Sequence, residues 1–225
     1  MTEHISEIQA DDAGLRSDVR RLGELLGESL VRQEGSELLE LVEKVRMQVR
    51  EGGGEEVLEN LTVDQSVQLV RAFSNYFNLA NVAEQVHRAR ILAEERITGG
   101  SWLARAVDRI IKVQAETKEF TTKDIQGWVN NFSVRPVFTA HPTEAARRSV
   151  LSKMNTIAEL LDQPENAKRD RRLSETIDLL WETDELRLGH PEPLDEATNA
   201  LYYLDDLFRL TVPEVLDDFA IELKR

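Results

Sequence analysis

The sequence predicts a mainly α chain that contains one strand. Apolar residues recur three and four positions apart through nearly every segment, and capping residues and glycines separate those runs. The strand reading rests on residues 134–140, an extended apolar run closed by His141-Pro142.

Composition narrows the class. The chain has 225 residues, 41% hydrophobic and 31% charged, with 42 acids, 28 bases and a net charge of −14. That apolar content exceeds what a disordered chain of this charge carries. No long uncharged apolar run is present, so no membrane association is expected. The absence of cysteine excludes a disulfide scaffold. The acidic balance opposes a nucleic-acid partner, because a polyanion is repelled at long range. The start, Met1-Thr2-Glu3-His4, lacks a basic region followed by an apolar stretch, and a cytoplasmic location is expected.

The elements follow in order. Leu15, Val19, Leu22, Leu26 and Leu30 form a helical stripe behind the cap candidates Asp11 and Asp12. Leu38, Val42, Val45 and Val49 repeat it, and Gly52-Gly53-Gly54 breaks the chain. Thr62 with Gln65 reads as a capping box opening a helix that runs to Arg96 and ends at Gly99-Gly100. A helix is expected over Trp102 to Thr117, and Thr121 with Asp124 caps another that carries Ile125, Trp128 and Val129. Trp102, Trp128 and Trp181 are all expected in the core or between helices.

At Phe132 the pattern changes. Val137 and Phe138 point to opposite faces of the predicted strand and are both apolar, as in a strand covered on both sides. A single strand needs a partner for its backbone groups, which points to an incomplete domain, the alternatives being a strand paired with a partner chain or a simple extended loop. Residues 1–132 are therefore read as a helical region and 133–225 as a second region that opens with the strand. Pro142 suits the first turn of a helix whose stripe is Val150, Met154, Ile157 and Leu161. Pro164 opens the next, with Ile177, Leu180, Trp181 and Leu188. Pro191 and Pro193 precede a last helical region interrupted at Pro213.

The sharpest constellation is Phe138-Thr139-Ala140-His141-Pro142-Thr143-Glu144-Ala145-Ala146-Arg147-Arg148-Ser149. A histidine stands where a buried strand ends and a helix begins, the end of a strand at which parallel α/β barrels place chemistry. Its pKa near neutrality allows acid or base work. Arg147 and Arg148 follow close to the same helix end, and guanidinium groups beside free helix N–H groups favour an anion, phosphate above all. Residues 142–172 hold seven bases and five acids, a local reversal of the chain's charge.

This passage resembles the histidine signature of the phosphoenolpyruvate carboxylases, of the bacterial type: T-A-H-P-T-E, then an arginine pair and an apolar helix. Ala72-Phe73-Ser74-Asn75-Tyr76-Phe77-Asn78-Leu79-Ala80-Asn81 is similar to the family's upstream helix. Trp181-Glu182-Thr183-Asp184-Glu185-Leu186-Arg187 and Pro193-Leu194-Asp195-Glu196-Ala197 are similar to its downstream segment. The resemblance runs from about residue 15 to the end, but family members are several times longer. It implies the N-terminal helical part and first strand of a TIM-like α/β barrel.

It also implies a Mg²⁺-dependent reaction of phosphoenolpyruvate with bicarbonate, giving oxaloacetate and phosphate and refilling the citric acid cycle. His141 corresponds to the histidine that serves the carboxyphosphate step. The metal ligands and most catalytic arginines are expected outside this chain, so no metal site is assigned to it and the isolated chain is expected to be inactive. Arg147, Arg148 and Arg187 correspond to an activator or phosphate site. Full-length members are homotetramers activated by acetyl-CoA or sugar phosphate and inhibited by aspartate or malate. Two rival readings stand beside this one: a subunit of a split enzyme, and a non-catalytic helical module retaining the motif.

Other features have plainer readings. His87 is expected at a helix surface or boundary and His190 at a helix end. Lys168-Arg169-Asp170-Arg171-Arg172 reads as a solvated helix face, since no aromatic interleaves its bases. Salt bridging is the plain reading of Arg147 and Arg148. Ser6 and Ser17 lack the basic context of a regulatory phosphoserine.

Overall fold

The computed structural model describes residues 2–53, 55–135, 147–184 and 192–224. Ten α-helices lie among the described residues: α1 (Thr2–Glu34), α2 (Ser36–Arg50), α3 (Glu55–Glu59), α4 (Val63–Gly99), α5 (Trp102–Thr117), α6 (Thr122–Asn131), α7 (Arg148–Leu161), α8 (Ala167–Trp181), α9 (Pro193–Asp206) and α10 (Val212–Glu222). A π-helical turn, Leu207–Thr211, joins the last two.

Two of the predicted caps form. Thr62 and Gln65 bond reciprocally, Gln65 N–H to Thr62 Oγ1 at 3.2 Å and Thr62 N–H to Gln65 Oε1 at 3.0 Å. Thr121 and Asp124 do the same ahead of α6. Ser101 caps α5 through Ala104 N–H at 3.0 Å. Gly100 takes φ 72° after α4, a left-handed turn that only glycine enters without strain.

Contacts divide the chain into two compact units. The first comprises 1–90 with 146–187, the second 91–145 with 188–225. The first unit is a helical bundle. Its core brings Leu22, Leu26 and Leu30 of α1 together with Leu79, Ala83 and Val86 of α4, Ile157 and Leu161 of α7, and Leu173, Ile177 and Trp181 of α8. The predicted stripes of α1 and α7 are thus the buried faces, as is that of α8 through Ile177, Leu180 and Trp181, while Leu188, expected on the same helix, lies outside the described residues.

Two arginines of α4 cap the C-terminal ends of α7 and α8. Arg90 donates to the Leu161 carbonyl, and its guanidinium also pairs with Asp18 at 2.8 Å and Asp162 at 3.3 Å. Arg71 donates to the Trp181 carbonyl and, at 3.4 Å, to that of Thr183. Cations suit these ends because the last carbonyls of a helix lack intrahelical donors and carry its negative pole.

The second unit is more open. Ala104 is the one buried apolar side chain among its described residues. It is held by Arg96 on Asp218 at 2.5 and 2.7 Å, and by Phe132 stacked on Phe219 at 5.8 Å.

Several expectations are corrected. Asp11 and Asp12 lie inside α1, which starts at Thr2, and not at a helix start. Arg147 is extended, with φ −69° and ψ 145°, so the helix carrying Val150 opens at Arg148 and not at Pro142. The next opens at Ala167 behind the Asn166 cap, three residues past Pro164. Trp181 is buried as expected, but Trp102 and Trp128 are 70% and 51% exposed. Trp102 carries the Arg105 guanidinium 4.5 Å from its ring centre, and Trp128 packs on Phe120 with ring centres 5.1 Å apart. Arg169 does not lie on a solvated face: it is 5% exposed, bonded to the Gln163 carbonyl at 3.1 Å and paired with Glu165 and Asp170 at 3.3 Å each. Pro213 interrupts no helix outright. The π turn precedes it, and it stands in the first turn of α10, where its missing N–H leaves no bond unmade. Of the predicted strand, residues 134 and 135 have no regular structure and 136–140 lie outside the described residues.

Candidate functional site

His141 and Arg187 lie outside the described residues, as does His190. The described residues flanking the first two are Arg147 and Asp184, and these form an ion pair at 3.6 Å. The ends of the two segments that carry the motif therefore meet at one end of the first unit. Chain order explains this: α7 and α8 are consecutive and packed together, so the start of α7 lies beside the end of α8.

The local electrostatics are unusual for a helix start. Arg147 occupies the N-cap position of α7, and Arg148 is its first residue. No acid stands in the first turn, and no side chain caps it. Basic groups there oppose the helix dipole, so an anion is the favourable partner. Asp184 supplies one. Arg147 is half-buried and Arg148 exposed, and Lys153 one turn further donates to the Ser149 carbonyl at 3.1 Å.

Asp184 is positioned from deep in the bundle. The Arg71 guanidinium lies 4.7 Å from the centre of the Trp181 ring, the residue whose carbonyl it caps. The indole N–H donates to Glu34 Oε1 at 3.0 Å, and Gln68 donates to Glu34 Oε2 at 2.9 Å. Two helices, α1 and α4, thus fix the last residue of α8, three positions before Asp184. Sequence reasoning missed Arg71, Glu34 and Gln68. None belongs to a motif, and Arg71 meets Trp181 across 110 positions of chain.

His87 is half-buried on α4, at the boundary where it is expected. Among the described residues no three carboxylate or imidazole groups converge to hold a metal ion, and no step is assigned to one here. No helix among them is long and apolar enough to cross a membrane.

The fold and this bundle end define a helical unit that presents paired arginines at a helix start beside an acidic return segment. The chain belongs to the phosphoenolpyruvate carboxylase family: the family model of that description matches residues 15–225. Among its relatives, the phosphoenolpyruvate carboxylase of Alcanivorax borkumensis is 35% identical over 230 residues, covering 94% of this chain and 26% of that protein. That of Acinetobacter baylyi is 37% identical over 211 residues, covering 84% and 23%. That of Azorhizobium caulinodans is 34% identical over 227 residues, covering 91% and 24%. The chain spans about a quarter of the length of these relatives.

Proposed function

We propose that this chain is the N-terminal portion of a phosphoenolpyruvate carboxylase and supplies the histidine of the carboxyphosphate step. The observation that carries the reading is the family match across residues 15–225, which includes the T-A-H-P-T-E passage around His141. In the proposed reaction, bicarbonate oxygen attacks the phosphorus of phosphoenolpyruvate. The phosphoryl group leaves the enol oxygen, giving carboxyphosphate and the enolate of pyruvate. His141 takes the carboxyl proton of carboxyphosphate as its C–O bond to phosphate breaks, releasing CO₂ and inorganic phosphate. The enolate carbon then attacks CO₂ to give oxaloacetate. Excluding water protects both intermediates, and phosphoryl transfer depends on positioning and charge neutralisation.

Mg²⁺ would stabilise the enolate oxygen and the phosphate, with ligands from outside this chain. Arg147, Arg148 and Arg187 would hold the phosphate of a substrate or an activator, acetyl-CoA or a sugar phosphate. The ion pair of Arg147 with Asp184 supports this by bringing the flanks of both segments to one place. Assembly as a homotetramer, inhibition by aspartate or malate, a cytoplasmic location and an anaplerotic role belong to the same proposal.

The test is a graft. Residues 1–225 replace the matching portion of the Alcanivorax borkumensis enzyme, and oxaloacetate is followed through malate dehydrogenase. The graft is expected to turn over, and His141→Asn in it to lose turnover with its fold intact. The isolated chain is expected to give none. A His141→Asn graft as active as its parent rules the assignment out. The closed core of the first unit favours a second reading, a helical module that folds and binds without catalysis. A graft that folds but never turns over would favour it.

A further inference from the structure

Arg71 stands half-buried on α4, against the end of α8. There its guanidinium meets three groups: the face of the Trp181 indole, at 4.7 Å, and the carbonyls of Trp181 and Thr183. Local donors serve the carbonyls just before these. Thr183 Oγ1–H donates to the Leu179 carbonyl at 2.6 Å, and Thr183 N–H to that of Leu180 at 3.1 Å. The carbonyls of Trp181 and Thr183 take their donor from Arg71, across 110 and 112 positions of chain.

The direction in which the chain leaves α8 is thus set from α4. Asp184 is the next residue, and Arg187 follows it by three. The pair of Arg147 with Asp184 is too weak to set that direction by itself. It spans 3.6 Å with the Asp184 side chain 75% exposed, and a surface pair of this kind contributes little. A planar guanidinium laid on a buried ring, with donors on two backbone carbonyls, holds more firmly.

We propose that Arg71 is a positioning residue for phosphate binding at the start of α7: it sets the course of residues 183–187 beside Arg147 and Arg148 without itself touching the phosphate. The inference rests on the reading of Arg147, Arg148 and Arg187 as a phosphate site. Two effects oppose each other when this clamp is lost. Asp184 moves off Arg147, which relieves phosphate of a competitor, and Arg187 loses its placement, which removes a partner. An exposed carboxylate competes weakly, whereas a guanidinium makes paired, charge-assisted bonds to phosphate, so the loss prevails. Lysine at position 71 keeps the positive charge but cannot lie flat on the ring or reach two carbonyls at once. Arg71→Lys therefore separates placement from simple attraction.

Inorganic phosphate titrated into the full chain by calorimetry tests this. Arg71→Lys is expected to weaken binding at least about fivefold, the lower end of coupling between linked sites. Arg90→Lys is the control. Arg90 also stands on α4 and caps a helix of the same unit, but at Leu161, the opposite end of α7 from Arg147 and roughly 28 Å further along α4. Arg90→Lys is expected to lower the thermal midpoint as Arg71→Lys does and to leave phosphate affinity unchanged. Arg147→Ala is expected to abolish binding. If it does so while Arg71→Lys binds like the wild type, the positioning role is overturned and the site stands. If the wild-type chain takes no phosphate, or Arg147→Ala takes it equally well, site and positioning fall together. Equal weakening by Arg71→Lys and Arg90→Lys would make Arg71 a contributor to stability alone, and so overturns the proposal. A measurement on the wild type decides the matter if Arg71→Lys does not fold. The Trp181 indole N–H resonance, assigned by its absence from Trp181→Phe, is expected to shift with the same half-saturation as the heat. A resonance that saturating phosphate leaves in place overturns the coupling.

Discussion

Arg71 lies over the indole of Trp181 at 4.7 Å and caps the carbonyl of the same residue, so one guanidinium holds both the side chain and the backbone at the end of α8. Trp181 is also the largest side chain in the core of the first unit. Core packing and the placement of Asp184 are therefore coupled through a single contact.

Trp181→Ala is expected to destabilise the first unit by about 3–5 kcal/mol, the range for truncating a buried aromatic. Trp181→Phe keeps most of the packing but leaves Glu34 Oε1 without the indole donor, at about 1–3 kcal/mol. Urea unfolding followed by circular dichroism separates the two. Equal losses would mean that the hydrogen bond to Glu34 contributes everything.

Two of the three arginines in the basic cluster on α8 should behave unlike each other. Arg169 is buried among Glu165, Asp170 and the Gln163 carbonyl, whereas Arg171 is exposed beside Glu175. Arg169→Ala is expected to cost about 1–3 kcal/mol, because it removes a buried side chain and leaves the Gln163 carbonyl without its donor, while Asp170 keeps Arg21 at 3.3 Å. Arg171→Ala is expected to cost no more than about 0.5 kcal/mol. Matched denaturation curves check this, and similar midpoints for the two variants would contradict it.

Asp124 carries a pH signature. Hydrogen bonds from the side chain and then the backbone of Thr121 hold its carboxyl below the ordinary carboxylate range. A lowered folded value means that the contribution is complete above the unfolded pKa of about 4. It is lost as pH falls through the lowered value. An amide-resolved acid titration should show the start of α6 losing its cap below pH of about 4. Thr121→Ala should remove that step, and a step surviving in the variant would assign it to another group.

Amide exchange should divide the chain at the boundary between the units. Protection is expected to be highest in α1 around Leu22–Leu30 and in α8 around Leu173–Trp181, where side chains are fully buried. It is expected to be much lower in α5, α6 and α10, whose unit buries Ala104 alone among its described apolar residues. Uniform protection across both units would show a single cooperative block.

Much of the secondary structure was legible before any coordinates. Thr62–Gln65 and Thr121–Asp124 act on donors within three residues, so the chain encodes them locally. The helical stripes also needed no tertiary knowledge, because burial of one face is written in the spacing of leucines and isoleucines. The histidine motif and the arginine pair after it were legible as an unusual run of residue types.

The sequence by itself determined the helical class, most helix ends and the family. It did not determine which of three tryptophans is buried, nor that Arg169 sits among acids while Arg171 faces water. It did not reveal that Arg71 and Arg90 cap α8 and α7. Only the tertiary structure decided these, because each depends on groups that meet across large chain separations, 110 positions for Arg71 and Trp181. Periodicity shows that a face is buried, but the partner it is buried against exists only once the helices have packed.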